Sequence, residues 1–214
     1  MKFNPADLNA PSGDVIWEWR VFWPPDSSLQ QSPFDFSVIP GEIVGEPIAE
    51  KNVDTYILIP RNRINLKLRE DRVSYKLISS RKGMLNGYSK KKTHRFPINP
   101  AVFTSLTGVP AQDEIKSAQQ LTETIMESRS DTKIVTVEKY RNTLDFKLAE
   151  NGKSNKTLSA EYSSLMFDGR TFGTLCLESD SSKFITSAIQ HINIGDGRLM
   201  DYIDFLSLLA SGRL

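Results

Sequence analysis

The sequence predicts an α+β fold built on a largely antiparallel sheet. Alternating segments rich in β-branched and aromatic residues fall into two groups, at 14–80 and 133–179, and helical patterns follow each group. The segments 63–70 and 72–80 meet at the pair Glu70-Asp71, which is short enough to be a tight turn. A connection this short joins only antiparallel strands, so these two segments are predicted to form a hairpin.

The alternation is strong enough to predict individual strands. The predicted strands span residues 14–23, 53–59, 63–70, 72–80, 133–146, 157–169 and 171–179. Residues 34–40 and 41–50 are predicted as short extended pieces, because each contains a proline, which favours the edge or end of a strand. The basic segment 81–95, which is interrupted by glycines, predicts either another short hairpin or a mobile loop.

Helical signals begin at Asn99, which can cap a helix, and at Pro100, which suits its first turn. A longer helix is predicted at 111–127, where apolar residues recur at helical spacing, and two more at 181–192 and 199–210. The last helix has an apolar face that consists of Leu199, Ile203, Leu206 and Ala210. This face predicts either packing on the sheet or a dimer contact.

These elements fit one domain over residues 15–214, with a helical insertion at about 98–129 and C-terminal helices at about 181–210. Residues 1–14 are predicted to be a flexible polar lead-in, because they lack the apolar region of a signal peptide. No segment approaches the ~20 apolar residues that a membrane-spanning helix needs. We therefore expect a cytoplasmic protein without a membrane partner.

The composition excludes two broad classes of protein. The 27 basic and 26 acidic side chains give a formal net charge of +1, so no overall field favours nucleic acid. Cys176 is the single cysteine, which excludes an internal disulfide framework and suits a reducing compartment. Any electrostatic specialisation must therefore be local.

Charged residues occur at strand spacing along several predicted strands. Glu18 and Arg20 share one face of the first strand, because side chains on a strand alternate with a period of two. The charged strand residues are Glu18, Arg20, Lys67, Arg69, Lys76, Lys139, Arg141, Glu161 and Glu178. They form either the solvent face of an antiparallel sheet or the wall of a charged cavity. Their excess of basic residues favours a cavity for a phosphate-rich anion with a divalent metal.

The order of these motifs resembles that of the CYTH superfamily, the triphosphate tunnel enzymes. That family opens with an E-x-E-x-K strand, and "IWEWR" is similar to its second half, with Ile16 in the first acidic place. A D-x-Y strand follows, matched here by Asp54 and Tyr56. The later E-x-E motif keeps Glu178 and has Cys176 in place of its first acid.

The resemblance covers about residues 15–193 and implies an antiparallel β-barrel, or tunnel, with peripheral helices. By this resemblance the phosphate-binding residues are Arg20, Lys67, Arg69, Lys76, Lys139 and Arg141, and the catalytic and metal-binding residues are Glu18, Glu161 and Glu178. The implied cofactor is Mg²⁺ or Mn²⁺. The implied partner is a triphosphate-containing small molecule or inorganic polyphosphate, and a homodimer is a further expectation.

The implied activity is metal-dependent hydrolysis of triphosphate, a short polyphosphate or a nucleoside triphosphate. ATP cyclisation is another branch of the family's chemistry. Ile16 and Cys176 stand where metal-holding acids are expected, so one alternative is a tunnel that binds a phosphorylated ligand without turning it over. A second alternative is a non-enzymatic interaction domain, which requires the strand cations to diverge toward solvent.

Overall fold

The fold is known from a computed structural model, which describes residues 15–28, 34–60, 62, 64–150 and 154–214. The predicted lead-in at 1–14 lies outside the described residues. The strands are β1 (Ile16–Trp23), β2 (Glu42–Leu58), β3 (Ile64–Arg69), β4 (Arg72–Lys82), β5 (Leu85–Tyr88), β6 (Lys92–Arg95), β7 (Lys133–Glu150), β8 (Ser154–Phe167), β9 (Arg170–Ser179) and β10 (Arg198–Leu199). The helices are α1 (Pro100–Thr107), α2 (Ala118–Ser128), α3 (Ser182–Ile189) and α4 (Tyr202–Leu209).

The strands close into an antiparallel barrel. Pairing runs in the order β1-β5-β4-β3-β2-β7-β8-β9, and β9 pairs back with β1. The short strands β10 and β6 pair with the parts of β1 and β4 that β5 leaves free. The predicted α+β fold with an antiparallel barrel and peripheral helices is therefore confirmed, and the hairpin that turns at Glu70-Asp71 joins β3 to β4.

β2 is longer than the sequence predicts. The extended piece at 41–50 and the strand at 53–59 belong to one strand of 17 residues. Its register against β7 shifts between Val44 and Ile48, and Pro47 lies within this irregularity. A proline has no N–H to donate to the ladder, so it is tolerated where regular pairing is interrupted.

The outer surface of the barrel is apolar where helices cover it. α3 buries Phe184 against Trp19 and Leu177 of the barrel wall. On another side, the cluster that includes Leu66 packs under α1 and α2 together with Ile125. These clusters take up the outward-facing strand positions beneath the helices, so the inward face is free to carry other chemistry.

α1 begins as the sequence predicts, because Asn99 Oδ1 accepts a hydrogen bond from the backbone N–H of Ala101 at 2.8 Å. α2 begins later than predicted. Ser117 caps it, and Ile115 instead exchanges backbone hydrogen bonds of 2.8 and 3.0 Å with Ile98. Ile115, one of the apolar residues whose spacing predicted the longer helix, therefore belongs to an isolated β-bridge instead.

α4 also begins later than predicted. The carboxylate of Asp201 accepts a hydrogen bond from the backbone N–H of Asp204 at 2.8 Å, which caps the helix at this point. Leu199, which the predicted apolar face included, belongs to β10 instead.

The apolar face of α4 closes one end of the barrel. Its buried residues are Tyr202, Phe205, Leu206 and Leu209. They pack on inward-facing apolar residues of the strands, and Phe205 stacks on Phe22 with ring centroids 3.9 Å apart. The face that could have been a dimer contact is thus occupied by the barrel itself. Within the described part of the chain, no helix has the length and apolarity to span a membrane.

Candidate functional site

A cavity of about 470 Å³ occupies the other end of the barrel interior. Seven of the eight barrel strands, all except β5, and α4 contribute side chains to it, together with Lys91 of the loop before β6. Its charged lining residues are Glu18, Arg20, Glu50, Lys67, Lys76, Lys91, Lys139, Arg141, Glu161 and Glu178. Lys91 is exposed and Lys139 is only 6% exposed, so the cavity reaches from solvent into the barrel.

The structure brings all but one of the predicted site residues to this cavity. Those that line it are Glu18, Arg20, Lys67, Lys76, Lys139, Arg141, Glu161 and Glu178. The exception is Arg69, whose Nε and Nη2 donate hydrogen bonds of 2.7 and 3.0 Å to the carboxylate of Asp54. Arg69 is therefore a partner of a buried acid, and the sequence reasoning that placed it beside the ligand does not match its position.

Glu161 is the centre of the largest charge cluster in the cavity. Its carboxylate accepts hydrogen bonds from Lys139 Nζ at 2.5 Å and from Arg141 Nη1 at 3.2 Å, and Arg20 Nη1 lies 3.8 Å away. Burial would raise the pKa of this carboxyl, but the charges of Lys139 and Arg20 outweigh burial and hold the pKa far below its usual range. Glu161 is thus a permanent carboxylate at neutral pH.

Asp54 forms a second cluster with Lys67 and Arg69. Lys67 Nζ donates to Asp54 at 3.2 Å, and Asp54 is 1% exposed. Burial lowers the pKa of Lys67 to about 8, even though Asp54 acts in the opposite direction. Lys67 is therefore a lysine that can change its charge just above neutral pH.

Glu18 and Glu178 form the third cluster, because they lie opposite each other in the β1–β9 pairing. Arg20 Nε donates to Glu18 at 3.0 Å, and Lys76 Nζ donates to Glu178 at 2.7 Å. Burial raises the pKa of Glu18, whereas at Glu178 the charge of Lys76 outweighs burial and lowers the pKa. Of the two carboxyl groups, Glu18 is the one that holds a proton more readily.

Several residues that line the cavity were not among the predicted site residues, and three of them carry a charge or a hydroxyl of interest. Glu50 lines it and accepts a hydrogen bond from Arg141 Nε at 3.0 Å. It lies four residues before Asp54 on the same face of β2, so counting by twos along one continuous strand would have found it. Tyr202 reaches the cavity from α4 and Lys91 reaches it from a loop, and strand periodicity contains no signal for either residue.

The predicted metal ligands do not converge as a set. Both oxygens of Glu161 are already bonded to Lys139 and Arg141. The ligand atoms that do converge are those of Glu18, Cys176 and Glu178, which lie within 4.8 Å of one another. Mg²⁺ and Mn²⁺ prefer oxygen ligands, so a set that contains a thiol does not fit the predicted ion.

Comparisons with known proteins do not assign a family. No family model matches the chain, and no curated protein matches it. Among solved structures, the crystal structure at 2.12 Å resolution of a protein from Bacillus halodurans, described as a putative adenylate cyclase, aligns with 86% of this chain and 76% of its own. The sequence identity is 12% and the TM-score is 0.29, so this similarity supports no conclusion about function.

Proposed function

We propose that the barrel binds a compact anion that carries several linked phosphates, such as inorganic triphosphate or the phosphate tail of a nucleotide. The observation that supports this proposal is the convergence of five inward cations on one cavity. They are Arg20, Lys67, Lys76, Lys139 and Arg141. Arginine can bind phosphate oxygens through two parallel hydrogen bonds, and lysine contributes a mobile point charge.

The charge of the cavity supports an anionic ligand. Six basic side chains line it against four carboxylates, so the lining has a net positive charge even though its cations are mostly paired. A ligand with several negative charges can compete for cations that a single carboxylate shares, as Lys139 and Arg141 share Glu161. A ligand with one charge gains much less from the same exchange.

The size and shape of the cavity support a small ligand. Its volume of about 470 Å³ lies within the range of ~300–1,000 Å³ that is typical of small-molecule sites. Because α4 packs into the opposite end of the barrel, a longer polyphosphate would enter by one terminus only. The expected ligand is therefore a short polyphosphate or the terminal phosphates of a larger molecule.

Metal-dependent hydrolysis of the bound triphosphate is the second candidate, and the facing carboxylates of Glu18 and Glu178 beside the cations favour it. The cations would offset the charge of the transferring phosphoryl group.

An interaction domain is disfavoured, because Lys67, Lys139 and Arg141 converge on the cavity instead of diverging toward solvent. Membership of the CYTH superfamily and a cytoplasmic location remain predictions.

Calorimetric titration with tripolyphosphate, pyrophosphate and sulfate would test the binding proposal. We expect affinity to increase with the number of linked phosphates, and Lys139→Met to weaken tripolyphosphate binding at least ~10-fold, since one lost charged hydrogen bond costs about 1.5–3 kcal/mol. Lys51→Met is the matched control, because Lys51 pairs with Glu138 at 3.2 Å with its side chain 55% exposed. Equal affinity in wild type and Lys139→Met would contradict the proposal.

Phosphate release from tripolyphosphate and ATP would then separate binding from hydrolysis. The assay would compare Mg²⁺, Mn²⁺ and Zn²⁺ with an EDTA control, in wild type and in Glu178→Gln. Release that depends on the metal and disappears in the variant would establish hydrolysis. Tight binding without release under any of these ions would establish a binding protein.

A further inference from the structure

Three metal-ligating side chains meet on the adjacent strands β1 and β9. Glu18 lies opposite Glu178 in this pairing, and Arg20 lies opposite Cys176, so all of these residues face inward at neighbouring positions. One carboxylate oxygen of each glutamate and the thiol Sγ lie within 4.8 Å of one another. Among the described residues, this is the one group of three such side chains that converges so closely.

The chemistry of these three ligands points to a particular kind of ion. A thiolate is a soft ligand that selects Zn²⁺ and similar ions, whereas Mg²⁺ and Mn²⁺ favour carboxylate, carbonyl and water oxygens. Zn²⁺ binds Cys Sγ at about 2.3 Å and carboxylate oxygen at about 2.0–2.2 Å in tetrahedral geometry, so two of its ligands lie about 3.4–3.6 Å apart. The three ligand atoms, which lie within 4.8 Å of one another, would reach this spacing through side-chain movements of up to about 1 Å.

The basic partners of Glu18 and Glu178 each bond to only one oxygen of the carboxylate. Arg20 and Lys76 both donate to the Oε1 atoms, of Glu18 and Glu178 respectively. Each carboxylate can therefore keep its basic partner on one oxygen and offer the other to an ion, which would replace the hydrogen bond between the Glu18 and Glu178 carboxyl groups. The retained cations would also offset the negative charge that Cys176 acquires when it loses its proton.

A buried hydroxyl without a partner provides an independent sign that a group from outside the chain completes this region. Tyr88 is 1% exposed, and within the described structure its hydroxyl has no hydrogen-bond partner. Its ring centroid lies 5.7 Å from Lys76 Nζ, and burial together with the charge of Glu18 raises its pKa. Buried polar groups are nearly always satisfied in native proteins, so we expect this hydroxyl to bond to a water or to another group from outside the chain.

We propose that Glu18, Cys176 and Glu178 form a binding site for a thiophilic divalent cation, with Zn²⁺ as the expected ion, in place of a Mg²⁺ or Mn²⁺ site. On binding, a bond forms between Sγ and the ion, the S–H bond breaks, and its proton passes to solvent without any change of oxidation state. The site does not depend on a phosphate ligand.

Titration of the full chain with Co²⁺ and Zn²⁺ in phosphate-free buffer tests the proposal. Cys176 is the only cysteine, so a thiolate-to-cobalt charge-transfer band can come from no other residue of this chain. We expect the wild type to show the band, Zn²⁺ to abolish it, and one proton to be released for each thiolate bound. Cys176→Ser should lose the band and should lose Zn²⁺ affinity by more than the ~10–100-fold that removal of an outer partner costs.

Two further variants keep the result decisive. Cys176→Glu supplies a third carboxylate, so we expect it to lose the band and to gain Mn²⁺ affinity relative to Zn²⁺. Glu178→Gln should weaken Zn²⁺ binding with the cysteine intact, which also provides an answer if the Cys176 variants do not fold. Equal Zn²⁺ affinity in wild type and Cys176→Ser, or cobalt binding without the band, would overturn the proposal. Tripolyphosphate binding is measured separately, without metal. Its result tests the phosphate site alone, so a failure of the metal-site proposal can be told apart from a failure of the phosphate-site proposal.

Discussion

The two ends of the barrel interior differ in chemistry although the same strands build both. On β1 the inward residues change from Glu18 and Arg20 at one end to Phe22 at the other. On β7 they change from Lys139 to Val137 within one strand repeat. One half of the interior is therefore a charged cavity and the other half is an apolar core.

α4 explains this difference. Phe205 stacks on Phe22 and closes the apolar half, whereas Tyr202 lies at the boundary, with its ring centroid 5.0 Å from Arg20 Cζ and 5.7 Å from Lys139 Nζ. Burial of apolar surface stabilises the fold directly. Buried ion pairs contribute little net stability, because desolvation offsets their attraction. The comparison indicates that the apolar half supplies most of the stability of the barrel. The charged half contributes little net stability.

The largest expected effect is on the apolar half. Phe205→Ala removes a ring that is 1% exposed and stacked on Phe22, so it should lower the free energy of unfolding by about 3–5 kcal/mol. Urea unfolding followed by circular dichroism measures this loss. Met126→Ala, at an α2 residue that is 44% exposed, is the control and should change stability little. A small loss for Phe205→Ala would show that α4 does not hold the barrel closed.

The next largest effect tests the charged half. Glu161→Gln leaves Lys139 and Arg141 without their shared anion and should cost about 2–3 kcal/mol of stability, the scale of hydrogen bonds to charged groups. Tripolyphosphate should raise the melting temperature of this variant more than that of wild type, because the ligand replaces the missing charge. Glu138→Gln, at an exposed surface pair, is the matched control. Equal ligand effects in both proteins would contradict a phosphate site at these cations.

The comparison between Arg141 and Arg69 sharpens where the ligand lies. Arg141 lines the cavity, whereas Arg69 is bonded to Asp54 outside it. We expect Arg141→Gln to weaken tripolyphosphate binding about 10-fold, equal to about 1.4 kcal/mol, and Arg69→Gln to have a much smaller effect on affinity. Calorimetry gives both values. If Arg69→Gln lost more affinity than Arg141→Gln, Arg69 would be a phosphate-binding residue, as the sequence alone predicted.

The smallest expected effect is a pH dependence at Lys67. Its pKa is about 8, so its positive charge is lost as pH rises through 8, and affinity for tripolyphosphate should decline over the same interval. The pKa of Lys67 in the folded protein lies below its ordinary value of 10.5, so burying the charged ammonium lowers the stability of the fold. This loss of stability is complete below pH 8 and disappears as the pH rises from 8 to 10.5.

Calorimetry across this range would compare wild type with Lys67→Arg, which keeps its charge. The variant should retain affinity and lose the part of the pH dependence that belongs to Lys67. If both proteins show the same profile, another group is responsible.

The sequence was sufficient to predict the antiparallel sheet and most of the charged interior. Alternation with a period of two placed Glu18, Arg20, Lys67 and Glu161 on faces opposite to apolar residues, and these residues do line the cavity. Glu50 was missed because a proline suggested a strand end where the structure has only a shift in register. The D-x-Y motif identified Asp54, but its bonds to Arg69 could not be predicted from separate strands.

The sequence by itself determined which side chains share one face of a strand, because that depends only on local strand geometry. Only the tertiary structure decided which of them meet. The β1–β9 register sets Glu18 opposite Glu178 and Arg20 opposite Cys176, the β8–β9 register sets Glu161 opposite Cys176, and the packing of α4 closes one end of the barrel. These outcomes depend on pairing between residues far apart in the chain, and no local pattern encodes that register.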